Sequence, residues 1–582
     1  QCRAAPISST IRCVSDRFHC FDQKPVISKA LTCLAIFAVL LAAWLTHSHH
    51  QTQAVALTEP GTENIACVSY APYREPGQTP FDPDHFVDES RIRDDLIKLS
   101  AVTDCVRTYS SQRGLQAVPR IAHELGMKVL LGIWIGRNDV DNRLEIEEGI
   151  RQAQAWPASI RGVIVGNEVL LRREQTAQGM ANYLDTVRAA VTIPVTYADV
   201  WEFWVKNESL ASHVDYMTVH ILPYWEDHPV GIDAAVTHVA DIFEQVQARF
   251  AGKPMMIGET GWPSAGRQRG PARPGNLAQA EFIRAWTATA KQKNIDYNLI
   301  EGFDQPWKRL LEGAMGGHWG MLDSAGERKF PWRGAMAENP TALRNALIGA
   351  VLGLIAFVTT SLGLKRLIRP AAPVAGWILP TLAAIVGACA GALLPAQWNY
   401  LHDWNRYASE WVASSAFGLV SLALAALLPA LIAYRITIPS AAAAWSHRAT
   451  DQHAQSGPER LARVAAYLRL ALLFMVAAFI MLHAFDARYR GFAIALYVLP
   501  FGIVLALAAT GLRLPATALQ ERWLGLVIVL GLPFMLWPEL PSNPDAMMLA
   551  AMAAAIGLYA LLPRRSSNNV ASNAATAPGS TE

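Results

Sequence analysis

Pro254-Met255-Met256-Ile257-Gly258-Glu259-Thr260-Gly261-Trp262-Pro263-Ser264 is an apolar run that ends on an acid and breaks into a loop marked by glycine and proline. Upstream, Val163-Ile164-Val165-Gly166-Asn167-Glu168 repeats the pattern. Short continuous apolar runs of this kind suit strands buried on both faces, as in a parallel sheet. Working outward, similar runs predict eight strands, at 65–70, 104–109, 128–133, 162–167, 194–198, 215–220, 254–259 and 297–303. Helical patterns fall between them at 88–99, 113–125, 142–155, 174–190, 207–212, 231–249 and 276–293, with a last one near 332–345. Strand–helix alternation predicts an α/β class with a parallel sheet. Eight units within roughly 270 residues predict its closure into a (β/α)8 TIM barrel over residues 65–340.

The rest of the chain has a different solvent. The protein has 582 residues, 52% of them hydrophobic and 17% charged, where ~25% charged is usual for soluble domains. Its mean hydropathy is +0.19. The excess lies in one uncharged stretch at 30–46 and in seven more, at 346–364, 374–394, 411–434, 464–482, 491–512, 523–540 and 546–562. These predict an anchor and an all-α multi-span transmembrane domain of about seven helices over 346–562. An uncleaved anchor is favoured over a signal peptide, because the basic tail before it is long and no small-x-small site follows. Lys and Arg gather in the tail 1–29, after the second and fourth spans, and in the disordered tail 563–582. The positive-inside rule then puts both termini in the cytoplasm of an inner (plasma) membrane protein. The linker 47–64 and the barrel would lie outside, in the periplasm or its equivalent. Arg469, inside the fifth span, is expected to snorkel toward the cytoplasmic end. The net charge of +2 argues against a nucleic-acid partner.

In a TIM barrel the C-terminal strand ends carry the chemistry. Here they bear Tyr70, Arg107, Tyr109, Asn167, Glu168, Trp201, His220, Tyr224, Glu259, Trp262 and Trp307. Two opposed carboxyls are the working parts of glycoside hydrolysis. Aromatic faces beside hydrogen-bonding groups suit sugar rings. No metal and no cofactor is expected; His47, His49 and His50 read as a polar flank of the anchor. Cys67 and Cys105 are expected on neighbouring strands as buried thiols, with a disulfide the less favoured alternative.

Ile257 to Ser264 resembles the nucleophile signature of glycoside hydrolase family 17, the β-1,3-glucanase family, and Val165-Gly166-Asn167-Glu168 resembles its acid/base motif. Val106 to Ser110 and Phe303 to Lys308 resemble segments of its bacterial members. The resemblance implies a retaining β-glucan hydrolase or transglycosylase with Glu259 as nucleophile and Glu168 as acid/base. It further implies a β-glucan substrate bound by Asn167, Arg107 and the strand-end aromatics. Bacterial members with a multi-span tail are associated with β-(1,3)/(1,6)-glucan synthesis. A lipid bilayer and a separate glucan synthase subunit are therefore expected partners. A glucan-binding sensor or export component without turnover is the alternative, and the paired glutamates speak against it.

Overall fold

The computed structural model describes residues 24–368, 376–450, 456–486, 491–515 and 518–562. The tail expected at 563–582 and most of that at 1–29 lie outside the described residues.

The strands are β1 (Val68–Ser69), β2 (Cys105–Arg107), β3 (Lys128–Ile133), β4 (Ile160–Asn167), β5 (Val195–Val200), β6 (Met217–His220), β7 (Met255–Thr260) and β8 (Tyr297–Leu299). They form one closed barrel in sequence order. All pairings are parallel, and Val68 opposite Leu299 closes the ring. The outer helices show why the periodicity was readable. Helix Ile232–Arg249 buries Ala235, Val239, Ile242, Phe243 and Val246 along one stripe. Asn138 and Thr176 start their helices by accepting backbone N–H bonds from Val140 and Gly179.

Three helical expectations are corrected. The segment 113–125 splits into a 3-10 turn at Leu115–Ala117 and a helix at Val118–Glu124, with Pro119 in its first turn. The segment 207–212 is a 3-10 turn, Glu208–His213, preceded by an unforeseen helix at Trp201–Lys206. The helix expected at 332–345 begins at Ala342 and continues to Ile368 as a spanning helix.

Inside the barrel, Cys67, Cys105, Leu130, Ile164, Ala198 and Met256 form a small apolar plug. Cys67 and Cys105 are joined by a disulfide, with 4.4 Å between their Cα atoms. This corrects the expectation of two thiols. The register that pairs Val68 with Val106 sets the two cysteines side by side on adjacent strands.

Among the described residues, seven helices are long and apolar enough to cross a membrane: Val26–Gln51, Ala342–Arg366, Ile378–Trp404, Ala408–Ala433, Gly457–Phe485, Leu519–Leu536 and Pro544–Leu561. The stretch expected as a span at 491–512 is helical over Ile494–Ala509, a shorter apolar helix of 16 residues. Helices Ala342–Ile368 and Ile378–Trp404 touch backbone to backbone. A Cβ on Gly353 would lie 2.2 Å from the Gly387 carbonyl, and one on Gly349 2.3 Å from that of Gly391. Such small-residue spacing drives helix association in lipid.

The two halves meet at the loops around the barrel mouth. Arg273 pairs with Asp545 at 3.0 Å, and Gln268 donates to the Ser542 carbonyl at 3.0 Å. Arg309 donates to the carbonyls of His402 and Asn405 at 2.7 and 3.0 Å.

Candidate active site

Glu259 lies on β7 with 4% of its surface exposed. Its Oε1 accepts from Arg107 Nη1 and from the Tyr109 hydroxyl, each at 2.8 Å. His220 Nδ1 is 3.5 Å from Oε2. Arg107 is held in turn by the Gly258 carbonyl at 2.9 Å and by Asn167 Oδ1 at 2.5 Å. The Ser69 hydroxyl pairs with the Tyr109 oxygen at 3.0 Å, donating to it while Tyr109 donates to Glu259, and accepts from Asn298 at 2.8 Å, so the layer above the apolar plug is a connected polar network. Gly258 permits this layer: a Cβ there would lie 2.4 Å from Thr218 and 3.3 Å from the His220 ring.

Glu168 stands just past β4. Gly166 and Glu168 both take left-handed backbone, with φ of 81° and 52°. A non-glycine residue in that region is strained and often marks function. The β4–β5 register slips between Ile164 and Asn167, and bulges of this kind re-aim side chains. The turn brings Glu168 to its partner: Glu168, His220 and Glu259 have ligating atoms within 4.8 Å of one another.

The two carboxyls are pushed apart in acidity. Burial, the negative charge of Glu259 and then that of Asp199 raise Glu168 to about 8. Burial would raise Glu259 as well. The His220 ring when protonated, the Arg107 and Lys308 cations and the Tyr109 hydroxyl outweigh it and hold Glu259 below the ordinary glutamate range. Burial also lowers His220 to about 4, so that ring is neutral near pH 7. Environments that drive paired groups apart assign acid and base. A cation fits this trio poorly, because the Arg107 guanidinium already holds Oε1 of Glu259 and would repel it.

A cleft of about 740 Å³ opens over the pair, lined on one side by Leu171, Trp201 and Phe203 and on the other by Trp225, Glu312 and Trp319. That volume suits an oligomeric small ligand (~300–1,000 Å³). Trp201 presents a buried indole N–H with no protein partner, a donor ready for a ligand. Trp225 and Trp319 stack with ring centroids 6.4 Å apart at 11°.

Of the residues expected to bind substrate, Arg107, Tyr109, Asn167 and His220 gather around Glu259, and Trp201 lines the cleft. Four do not, and are corrected here. Tyr70 is 1% exposed and donates to Asp95 at 3.2 Å, away from the cleft. Trp262 is fully buried, donates to the Arg273 carbonyl at 3.1 Å and stacks on Phe282. Tyr224 is fully buried; its hydroxyl donates to the Arg267 carbonyl. Trp307 donates to Gln305 at 2.8 Å and meets Phe81 edge-on. A strand-end position does not say whether a large ring turns into the mouth or behind it. Phe203, Arg269, Glu312 and Trp319 line the cleft and were missed. They sit on loops and on two short helices, Trp201–Lys206 and Lys308–Glu312, that no periodicity announced.

Residues 67–320 match the family model described as BtgE/BtgC glycoside hydrolase domain. The probable glucan endo-1,3-beta-glucosidase of Aspergillus fumigatus is 26% identical over 268 residues, covering 41% of this chain and 38% of that protein. The probable family 17 glucosidase of Saccharomyces cerevisiae is 26% identical over 264 residues, covering 44% of this chain and 65% of that protein. The barrel is thus similar to the BtgE/BtgC glycoside hydrolase domain and to a family 17 glucosidase. Among solved structures, an active-site mutant of the Rhizomucor miehei beta-1,3-glucanosyltransferase in complex with laminaritriose is 27% identical. Its TM-score is 0.41, with 47% of this chain and 98% of that chain covered. The chain thus spans under two fifths of the length of the Aspergillus relative. The match to that family model ends at residue 320, before the helix Ala342–Ile368.

Proposed function

We propose that the protein is a membrane-anchored retaining β-glucan transglycosylase or hydrolase acting outside the cytoplasm. The observation that carries this reading is the placement of Glu168 and Glu259 within 4.8 Å with opposite displacements in acidity. Retaining enzymes hold their carboxyls at ~5–5.5 Å, and inverting ones at ~6.5–9.5 Å to admit a water.

Glu259, ionised, attacks the anomeric carbon, while Glu168 gives its proton to the departing glycosidic oxygen. The C–O bond to the leaving sugar breaks and an ester bond to Glu259 forms. Esterification removes the Glu259 charge. That charge is the second-largest cause raising Glu168, so Glu168 becomes more acidic and, ionised, can act as base. It then takes a proton from the acceptor hydroxyl, which displaces Glu259. The same group thereby serves as acid and then as base. Arg107 and Tyr109 hold the nucleophile ionised and fixed in direction. Asn167 is placed to bond the sugar 2-hydroxyl, a contact that strengthens in the transition state.

The tryptophans on the cleft walls offer faces on which an acceptor sugar can stack, and β-1,6 linkages or branches among the products belong to this proposal. A glucan-binding sensor or export component would need neither opposed acidity nor reaction distance, and is the weaker reading. The disulfide Cys67–Cys105 supports an oxidising, extracytoplasmic setting for the barrel. The helix-end loops at His402–Asn405 and Ser542–Asp545 both touch the barrel. That agrees with the side assigned to them by loop charge. Purified full-length protein, incubated with β-1,3-gluco-oligosaccharides, tests the proposal. Products longer than the substrate mean transfer, and shorter ones alone mean hydrolysis. A first-formed α-anomer, or no turnover, sinks the retaining mechanism.

A further inference from the structure

A second pocket opens where the helical half meets the barrel. Its volume is about 260 Å³, and Trp44, Asn345, Asn399, Tyr400, Asp403 and Trp404 contribute to its lining. They come from the barrel-facing ends of helices Lys24–Gln51, Ala342–Ile368 and Ile378–Trp404. Tyr400 and Trp404 stack, with centroids 5.5 Å apart at 23°. The Trp44 indole is fixed by donating to the Ala392 carbonyl at 3.0 Å. The side-chain amide of Asn399 and the carboxylate of Asp403 have no hydrogen-bond partner among the described residues, although Asp403 is half-buried.

The chemistry of this lining is selective. No lysine or arginine is among the lining residues, and although Arg309 and Lys329 act on Asp403 from outside the lining, the lining itself offers no cation to bind an anion, so a phosphate is a poor occupant. Aromatic rings beside unused amide and carboxylate groups suit a neutral, polyhydroxylated molecule. The size, near the ~300 Å³ lower bound for ligand pockets, suits a short saccharide segment rather than a polymer.

One chain segment separates this pocket from the catalytic cleft. His318 Nε2 lies 3.3 Å from the Asp403 carbonyl, and Trp319, its neighbour, is a cleft wall. Arg309 grips the carbonyls on either side of that segment, at His402 and Asn405, and its short helix Lys308–Glu312 ends on the cleft residue Glu312.

We propose that this junction pocket is a second carbohydrate site, which holds a glucosyl segment remote from the bond being cut or formed. The inference rests on the β-glucan reading of the cleft. The helical half would then be a substrate-binding part of the enzyme and not merely its anchor. A long glucan would engage both sites, whereas a short one would fill the cleft alone.

The test uses full-length protein in phosphatidylcholine nanodiscs. Calorimetry of the Glu259→Gln chain with a β-1,3-gluco-oligosaccharide should show two binding events. Adding Asn399→Ala and Asp403→Ala should abolish one and leave the other unchanged. Neither side chain makes a hydrogen bond among the described residues, and Asn399→Ala alone, at an exposed position, is the control least prone to disturb folding. With Glu259 intact, the same substitutions should lower kcat/KM for long glucan roughly tenfold, as for a lost pair of hydrogen bonds, and spare short oligosaccharides. A single event in the parent, or two events that survive the substitutions, overturns the proposal. So does a second event abolished by phosphatidylethanolamine, whose ammonium headgroup would then be the occupant. Glucan that binds at the junction but is never turned over would overturn the catalytic reading and leave this site standing.

Discussion

Each half of the molecule buries an arginine against a glutamate, and the two pairs serve different ends. In the barrel, Arg107 meets Glu259 at 2.8 Å with side chains 1% and 6% exposed. In the helical half, Arg469 approaches Glu521 at 3.4 Å with 2% and 0% exposed. The helical pair is fastened to the connection that precedes its first helix. Arg469 donates to the Pro439 carbonyl at 2.6 Å, and Glu521 accepts from the Ala441 backbone at 2.8 Å. It thus ties the connection at 439–441 to helices Gly457–Phe485 and Leu519–Leu536. The barrel pair opens onto a cleft and faces Glu168. A buried ion pair therefore marks a reaction only when one partner reaches solvent-accessible space beside a second titrating group; otherwise it is a cross-brace.

The sharpest break between the two pairs is Glu259→Gln, expected to cut turnover roughly 10⁴-fold or more in steady-state assays. Glu521→Gln should leave the kcat of folded protein unchanged. Glu168→Gln should cost roughly 10²–10⁴-fold, the usual worth of a general acid–base. Its stability sign is opposite to its activity sign. The folded chain keeps the Glu168 proton up to about 8, whereas an unfolded glutamate loses it near ~4.3. The contribution is full below the unfolded value and lost as pH rises through about 8. Calorimetry should find Glu168→Gln more heat-stable than the parent near pH 8, with the gain gone at acid pH. The pH dependence of kcat/KM should fall on the alkaline side near 8 and on the acid side below the ordinary glutamate range.

Arg107→Met and Arg469→Met sharpen the comparison further. Each leaves a buried carboxylate unpaired, at a cost of about 3–5 kcal/mol in unfolding experiments. Only Arg107→Met should also shift the acid limb of the pH–rate profile upward, because only it releases Glu259 from its cation. The smallest effect belongs to Asp545→Ala, which removes an exposed pair with Arg273 between the two halves. Less than about 1 kcal/mol should be lost, and high salt should erase the difference.

The barrel was legible because buried parallel strands leave continuous apolar runs, and those at 128–133 and 254–259 fall within a residue of β3 and β7. Glu168 and Glu259 were legible because each acid sits where an apolar run ends. The aromatic residues were not. Trp262 and Trp201 both follow strands closely, yet one stacks on Phe282 in the core and the other lines the cleft. Their fate depends on loop paths that local sequence does not encode. The disulfide was misjudged for a related reason: the pairing of Cys67 with Cys105 depends on strand register, not on their separation of 38 residues.

By itself the sequence determined which segments are strands, which are apolar enough for a membrane, and which two carboxyls end the critical strands, since each follows from local hydrophobic pattern and position. Only the tertiary structure decided that the two carboxyls lie within 4.8 Å and that Arg107 belongs to one of them. It also decided that helix ends near His402 and Asp545 close over the loops of the mouth. Those are meetings of residues far apart in the chain, set by barrel closure, register and packing, and no local pattern carries them.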